Sequence, residues 1–487
     1  MTFTRSMFIR MLALFALTFP SMASAQYYIP ADTPLEHLFH FALDQADRHE
    51  SHSYEYPFQS KTFEQILEQF PVQYFSRDSL AVRTSVGVSL FDQDQILKTR
   101  PAFYFSSPLQ SGFHFGTQLV ASTSRSGDEE LGTEVGINNY YARVQRAWLN
   151  YDSEHLEVVT GRDALQLGPG RFSSLLLDRH LPPYDLFRIR LSKSVFNLYG
   201  FTAFLPPVQS SYRPENYVNR YLSGKRLSYR HQAGNFGLAV GDMILYSGEN
   251  RPFDPALSNP VLPVYLLVHG EKRYRFTPEL DGDNENSILY ADGFLTLSED
   301  HTVYSQVIID EFHVNPARRD TVDDAVGYTI GYTGVLPLNS KYTIHIQSEF
   351  TRVNSWVYIH PGQLTTMLYK DRPIGNSEGG DIREFHFRAD LWSGYRWSVG
   401  LQFSGFQEGE ITMQNEWNPY STKGKGFPVG TVERTNSITI DGYYFTKMFR
   451  FLRIYTEYRS TKNMEHIPGN NQQEWRYGLE FYYYLTL

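Results

Sequence analysis

The polar and apolar positions of this chain alternate one by one over long stretches. From Glu474 to Leu487, one set is Trp475, Tyr477, Leu479, Phe481, Tyr483, Leu485 and Leu487. The interleaved set is Glu474, Arg476, Gly478, Glu480, Tyr482, Tyr484 and Thr486. Successive strand side chains point to opposite faces, so this is one long strand with an apolar face and a polar one. The pattern recurs. Phe187, Ile189 and Leu191 alternate with Arg188, Arg190 and Ser192, and Tyr342, Ile344 and Ile346 with Thr343, His345 and Gln347. Phe385, Phe387 and Leu391 alternate with Glu384, His386, Arg388 and Asp390, and Leu452, Ile454 and Tyr458 with Arg453, Glu457 and Arg459. Alternation alone leaves open which face points inward. In a soluble sandwich the apolar faces meet each other. In a membrane barrel they meet lipid, and the polar faces line the lumen.

The connections between strands separate the two cases. Short turns fall at Pro108–Gln110, Asp152–Glu154, Gln232–Asn235, Ser298–His301, Pro337–Ser340 and Trp392–Gly394. Between them lie long polar stretches rich in Gly and Pro at 124–137, 163–182, 206–220, 247–286, 313–325, 353–380, 406–432 and 460–473. Short and long connections alternating along the chain are what an outer-membrane barrel predicts, with short periplasmic turns and long extracellular loops. The expected fold is all-β: a transmembrane antiparallel barrel of about eighteen strands, an even number as such barrels require.

The N-terminal region reads differently. Arg5 and Arg10 precede the apolar run Met11–Phe19 and the small-x-small site Ala23-Ser24-Ala25. This is a secretory signal peptide over residues 1–25. The apolar run is too short for a membrane helix, which needs about 20 residues. Leu35, Leu38, Phe39 and Leu43 then have helical spacing, and Phe63, Ile66, Leu67 and Phe70 form a second short amphipathic set ended by Pro71. Residues 26–78 are expected as a periplasmic helical segment, with the helices within 31–71, and 79–487 as the barrel. The apolar stripes need a surface to cover, which favours a plug or docking piece at the periplasmic mouth over an export leftover packed loosely against the barrel.

Composition agrees. Tyr 35, Phe 35 and Trp 6 make the chain 16% aromatic, while the mean hydropathy is −0.40, too polar for a helical membrane bundle. Cys is absent, which excludes disulfides, thiolate metal sites and cysteine nucleophiles. A net charge of −9 gives no basis for expecting nucleic acid. The P-loop, HExxH and GxSxG motifs are missing, so no enzyme and no cofactor is expected. His345 and His386 read as polar wall residues, and Asp281–Asn286 as a solvated loop rather than a calcium site.

Binding chemistry concentrates in two long loops. Residues 353–380 carry Trp356, Tyr358, His360 and Arg372, and residues 406–432 carry Glu416, Trp417 and Tyr420. Sugars present an apolar C–H face and a hydroxyl rim. Aromatic faces flanked by carboxylate, imidazole and guanidinium groups suit both. Trp356 and Tyr358 lie near a strand end, where an interfacial aromatic belt would use the same residues. Trp417 and Tyr420 lie deep in their loop. These seven residues are the expected polysaccharide-binding set.

Several stretches together resemble the Wzi-type capsule-assembly family of outer-membrane proteins. They are Gly161-Arg162-Asp163 followed by Gly168-Pro169-Gly170, Tyr304–Phe312, Glu349–Arg352 leading to Trp356–His360, and Arg372–Gly375 with Gly379-Gly380-Asp381. The resemblance covers most of the mature chain and is weakest at the N-terminal helices. It implies a closed barrel of eighteen strands, a periplasmic helical bundle, occluding extracellular loops, and a lectin-like role in attaching capsular or related polysaccharide to the cell surface. It implies surface polysaccharide, outer-membrane lipid and capsule export components as partners of a monomeric barrel. The alternative is a porin-like channel. Arg188, Arg190, Arg226, Arg230 and Arg388, against Glu349, Glu384, Glu457 and Glu480, could line a pore or lock a plug. Asp310, Glu311, Glu349 and Arg352, at strand ends, are expected to pair within a lumen network rather than with an inward-folded loop. Gly168-Pro169-Gly170 is expected as a purely structural turn.

Overall fold

The structure is a computed structural model. It describes residues 38, 40, 41, 44, 55–56, 81–91, 98–108, 112–122, 141–178, 181–209, 217–249, 251–263, 285–311, 321–361, 363–445 and 450–486. Among them, eighteen strands form a closed barrel. In chain order they are β1 (Ala81–Phe91), β2 (Lys98–Pro108), β3 (Phe113–Ser122), β4 (Tyr141–Asp152), β5 (Leu156–Asp163), β6 (Tyr184–Lys193), β7 (Phe196–Gln209), β8 (Tyr217–Arg230) and β9 (Phe236–Glu249). There follow β10 (Glu285–Ser298), β11 (His301–Glu311), β12 (Ala325–Pro337), β13 (Tyr342–Val353), β14 (Ile382–Ser393), β15 (Trp397–Glu408), β16 (Glu433–Phe445), β17 (Arg450–Lys462) and β18 (Gln472–Thr486). Each strand pairs antiparallel with the next, and β1 pairs with β18 from Arg83 opposite Thr486 to Phe91 opposite Gly478. Closure leaves no unpaired edge, which a bilayer requires. The expected strand count and the alternation of short and long connections both hold.

The faces are sorted as a membrane barrel sorts them. Trp475, Tyr477, Ile454, Leu401 and Phe387 are exposed on the outside, whereas Arg188, Arg226, Arg388, Glu349 and Asp390 are buried inside. Apolar groups outward and charges inward is the reverse of a water-soluble fold, and it is stable where the outer medium is hydrocarbon. Strands β8, β9 and β10 each run 14 residues, beyond the ~9–11 that a tilted strand needs to span a bilayer. Among the described residues no helix is long and apolar enough to cross.

Many of the inward charges are paired. Glu157 accepts from Arg188 at 2.7 Å and Arg190 at 2.6 Å, Arg146 meets Asp163 at 2.8 Å, and Arg226 forks onto Asp292. Arg388 bridges Asp390 at 2.6 Å and Asp441 at 2.8 Å. Pairs of this kind contribute little net stability, but loss of one partner leaves a buried charge and costs about 3–5 kcal/mol. They hold register between strands.

The lumen also holds an apolar core, at the long-loop end. Leu165, Leu167 and Leu175–Leu177 of connection 164–183, with Trp356–Ile359, Met367, Tyr369 and Ile374 of connection 354–381, pack against Leu186, Phe201, Leu222, Leu245, Ile288 and Ile308 of the wall. Two long loops therefore fold back into the barrel. The helical residues Leu38, His40, Phe41 and Asp44 occupy the opposite end. Phe41 stacks on Trp392 at 4.1 Å, beside Tyr395, and Leu38 joins Tyr443, Phe445 and Phe451. These wall residues flank the short connections 394–396 and 446–449, so the helix docks at the short-turn mouth. Its buried face is Leu38, Phe41 and Asp44. Leu35, Phe39, Leu43 and the set Phe63–Phe70 lie outside the described residues, as do the signal segment and Asp281–Asn284.

Candidate functional site

The inner plug is held by hydrogen bonds as well as packing. Glu349 of β13 accepts from the backbone N–H of Arg171 at 2.7 Å, of Phe172 at 3.3 Å and of Ser173 at 3.0 Å, and from the Tyr304 hydroxyl at 2.8 Å. One carboxylate so satisfies three consecutive amides of the loop at a point where it has no strand partner. Arg171 then reaches across the lumen to Asp44, 3.1 Å away, and to His40, 2.6 Å away. Asp44 also accepts from the Thr333 hydroxyl at 2.7 Å and meets His345 Nε2 at 2.8 Å. Burial alone would raise the Asp44 pKa. Arg171 and His345, with Thr333, outweigh burial and hold the carboxyl well below the ordinary range. A continuous polar chain thus joins the docked helix to the loop plug. Gly168-Pro169-Gly170 is the expected structural turn. Gly168 has φ +115°, and a Cβ on Gly170 would meet the Ser173 carbonyl.

Asp310 and Glu349 hold inward-folded loops, not a charge network with each other. Asp310 accepts from the Tyr358 N–H at 2.6 Å. The expected salt-bridge reading is corrected for a physical reason: loop amides buried in the lumen need acceptors, and these two carboxylates lie within reach. Tyr358, at φ 72°, donates its hydroxyl to the Leu175 carbonyl at 2.7 Å and so ties the two plug loops together. Arg220 of β8 donates to the carbonyls of Leu364, Thr366 and Leu368, and Asn286 to that of Thr365. The wall grips the second loop along its length. His386 stacks on Phe172 at 4.9 Å and lies 3.3 Å from Glu384, so it buttresses the plug rather than merely lining a wall.

The seven expected binding residues divide. Trp356 and Tyr358 are buried, at 3% and 0% exposure, and their polar tips are satisfied internally. The expectation that they offer a face to a sugar is corrected: they stand in an apolar run with Val357 and Ile359 that fills the lumen. Trp356 instead supports the outer loop, donating its indole N–H to the Thr422 hydroxyl at 2.8 Å. Above it the turn Pro419–Ser421 displays Tyr420, 59% exposed, with Glu416 exposed and Trp417 half-buried against the plug core. Asp381 fastens this loop to the barrel, accepting from the Ser355 hydroxyl at 2.8 Å and the Val429 N–H at 3.1 Å. His360 is half-buried and bound to Thr365 at 2.8 Å. Arg372 is exposed on the hairpin Leu368–Pro373, whose tip residues Lys370 and Asp371 both have positive φ, the conformation of a two-residue hairpin turn. Tyr369 anchors that hairpin by donating to the Pro183 carbonyl at 3.0 Å.

The residues missed by the sequence reading are Arg171, Leu175–Leu177, Phe41 and Asp44. An apolar triplet inside a polar loop was the available signal for the plug, because a solvated loop has no use for it. Among the described residues no group of His, Asp and Glu side chains is arranged to hold a metal ion.

No family model matches the chain, and no curated protein matches it in sequence. Solved structures match its fold. One is Wzi of Escherichia coli, an outer-membrane protein involved in group 1 capsule assembly and a carbohydrate-binding β-barrel. It is 10% identical, with 92% of this chain and 98% of Wzi covered and a TM-score of 0.62. OprD of Pseudomonas aeruginosa is 10% identical over 84% of this chain and 95% of its own, with a TM-score of 0.45. The outer membrane protein OpdK of the same organism is 12% identical over 84% and 99%, also at 0.45. At these identities the likeness is one of fold: this chain has the fold of an outer-membrane β-barrel.

Proposed function

We propose that this protein is a non-enzymatic outer-membrane barrel that holds capsular or related polysaccharide at the cell surface. Residues 1–25 direct its export, the helical segment lies in the periplasm, and the long loops face outward. The barrel works as a monomer with its lumen occupied by its own chain. The observation that carries the reading is the apolar core made by connections 164–183 and 354–381 inside the barrel. A polymer approaching from the loop side meets a closed crown rather than a pore. The exposed side chains of that crown, Tyr420, Glu416 and Arg372 with the half-buried Trp417, combine a stacking face with charged hydrogen-bonding groups. The fold likeness to Wzi, a carbohydrate-binding barrel, supports the same reading.

The test uses the full barrel in detergent and purified polysaccharide from its own cell surface. Saturable binding is expected, weakened roughly tenfold by Tyr420→Ala, as for a well-placed aromatic anchor. Absence of binding, together with stable conductance in a planar bilayer, would replace this reading with a channel.

A further inference from the structure

The outer face of the barrel carries a feature that the polysaccharide reading does not use. At the long-loop ends of five consecutive strands, the cross-strand register places Arg352 beside Arg383, Arg383 beside Gln407, Gln407 beside Arg434, and Arg434 beside Lys462. All five residues share the parity of the lipid-facing positions Ile346, Phe385, Leu401, Ile438 and Ile454, so they form one outward row across β13–β17. At ~4.8 Å per strand the row extends roughly 19 Å. The sequence neighbours Glu384, Glu408 and Glu433 have the opposite parity and point inward. Strand alternation has sorted the bases out and the acids in.

The cations of the row are uncompensated. Among the described residues none of Arg352, Arg383, Arg434 and Lys462 forms a salt bridge. Elsewhere on this rim the outward Arg162 is neutralised by Asp185 through two 2.7 Å bonds. Two of the guanidinium groups are also pre-positioned: Phe427 of the outer loop lies 3.9 Å from Arg352 and 5.5 Å from Arg383. Two residues towards the membrane centre the same strands present Phe350, Phe385, Gly405, Asn436 and Ser460. Two further on they present Ser348, Phe387, Phe403, Ile438 and Tyr458, with Trp475 next to Tyr458. Reading outward on β15–β17, the face runs from aromatic and aliphatic, through small and polar, to polar and cationic, while β13 and β14 carry Phe350 and Phe385 directly below their arginines. That is the order of acyl chain, sugar and phosphate in a glycolipid.

We propose that this row is a docking site for a membrane lipid with a phosphorylated sugar headgroup, seated on the outside of the barrel. A single phosphodiester would occupy one or two of these cations. A headgroup bearing more than one phosphate on a sugar fits four cations spread over five strands. Arginine forks bind phosphate oxygens in bidentate fashion, and Gln407, Asn436 and Ser460 are placed for sugar hydroxyls. The inference rests on the membrane-spanning reading of the barrel and not on the polysaccharide site.

The test is native mass spectrometry of the full barrel in detergent, titrated with a bis-phosphorylated glucosamine-disaccharide lipid. Phosphatidylcholine, phosphatidylglycerol and inorganic phosphate serve as comparison probes. Saturable binding of the phosphorylated glycolipid is expected, in preference to both phospholipids and without competition from inorganic phosphate. Each cation removed should weaken it roughly fivefold. Arg383→Gln with Arg434→Gln should therefore lose about twenty-five-fold, and the fourfold Gln variant more. The pair Lys341→Gln and Arg396→Gln, exposed at the short-turn end, should change nothing. A heat-modifiability gel checks that each variant is folded. Equal binding by wild type and the folded double variant would overturn the proposal, as would preference for phosphatidylglycerol or displacement by inorganic phosphate. Loss of soluble polysaccharide binding in Tyr420→Ala leaves these readouts untouched, so the two readings fail separately.

Discussion

Replacement of Glu349 by Ala should open the barrel from inside. Its carboxylate accepts hydrogen bonds from the consecutive amides of Arg171, Phe172 and Ser173, from the Ser173 hydroxyl and from Tyr304. Hydrogen bonds to a charged group contribute about 1.5–3 kcal/mol each, but they are not additive, and water entering the vacated space satisfies some of the donors. A net loss of about 3–5 kcal/mol in docking of connection 164–183 is the reasonable figure, the same as for breaking a buried charged contact. Every 1.4 kcal/mol is a factor of ten in population, so the undocked state should rise roughly a hundred- to several-thousand-fold. Hydrogen exchange at residues 171–173 of the detergent-solubilised barrel reads this directly, and planar-bilayer recordings should show openings that wild type lacks. Tyr304→Phe removes one of these bonds and should give a smaller change in the same direction. Unchanged exchange at 171–173 in a folded Glu349→Ala barrel would refute the assignment of Glu349 as the plug's anchor.

Other consequences follow from the same contacts. Phe41→Ala removes the stack on Trp392 and should weaken helix docking by about 3–5 kcal/mol, the range for a buried aromatic, seen as faster proteolytic release of the N-terminal segment. Asp44 has its pKa depressed in the docked state, so its contribution is complete above the ordinary carboxylate value and is lost as pH falls below it. Release of the segment should stay constant from pH 7 to 5 and rise below about pH 4, while Asp44→Asn should release it already at pH 7 and flatten the dependence. Tyr358→Phe, which loses the bond to Leu175, should cost about 1–2 kcal/mol of plug stability, measured as exchange at the amides of both plug loops. Asp381→Asn weakens the tie to Val429 and Ser355, and limited proteolysis should cut 409–432 sooner without unfolding the barrel.

The charges inside the lumen bear on how such a plug remains in place without a covalent tie. Glu157, Asp163, Asp292 and Asp441 each have an arginine partner on the wall. Glu349 and Asp310 do not spend their acceptor capacity on a cation, and their oxygens are left for loop amides. A loop amide is a neutral donor. At Glu349 and Asp310 the plug is therefore held by hydrogen bonds, and the ion pair of Arg171 with Asp44 joins it to the docked helix.

Strand periodicity and connection length alone determined the barrel, its even strand count and the membership of each face. The reason is that period two admits one register per strand once the turns are placed. Trp475 and Tyr477 share one face of their strand, and Phe187 and Leu191 one face of theirs, as alternation requires. What the alternation left open was the direction of the faces and the path of the long loops. Only the tertiary structure decided that Trp356 and Tyr358 lie inside the barrel while Tyr420 stands outside it. The same composition of aromatics and polar residues serves a lumen core or an exposed crown, and the difference is whether the loop turns inward to reach acceptors such as Asp310 and Glu349, 48 and 178 residues distant in sequence from the amides they bind. Contacts at such separations leave no local periodicity to read.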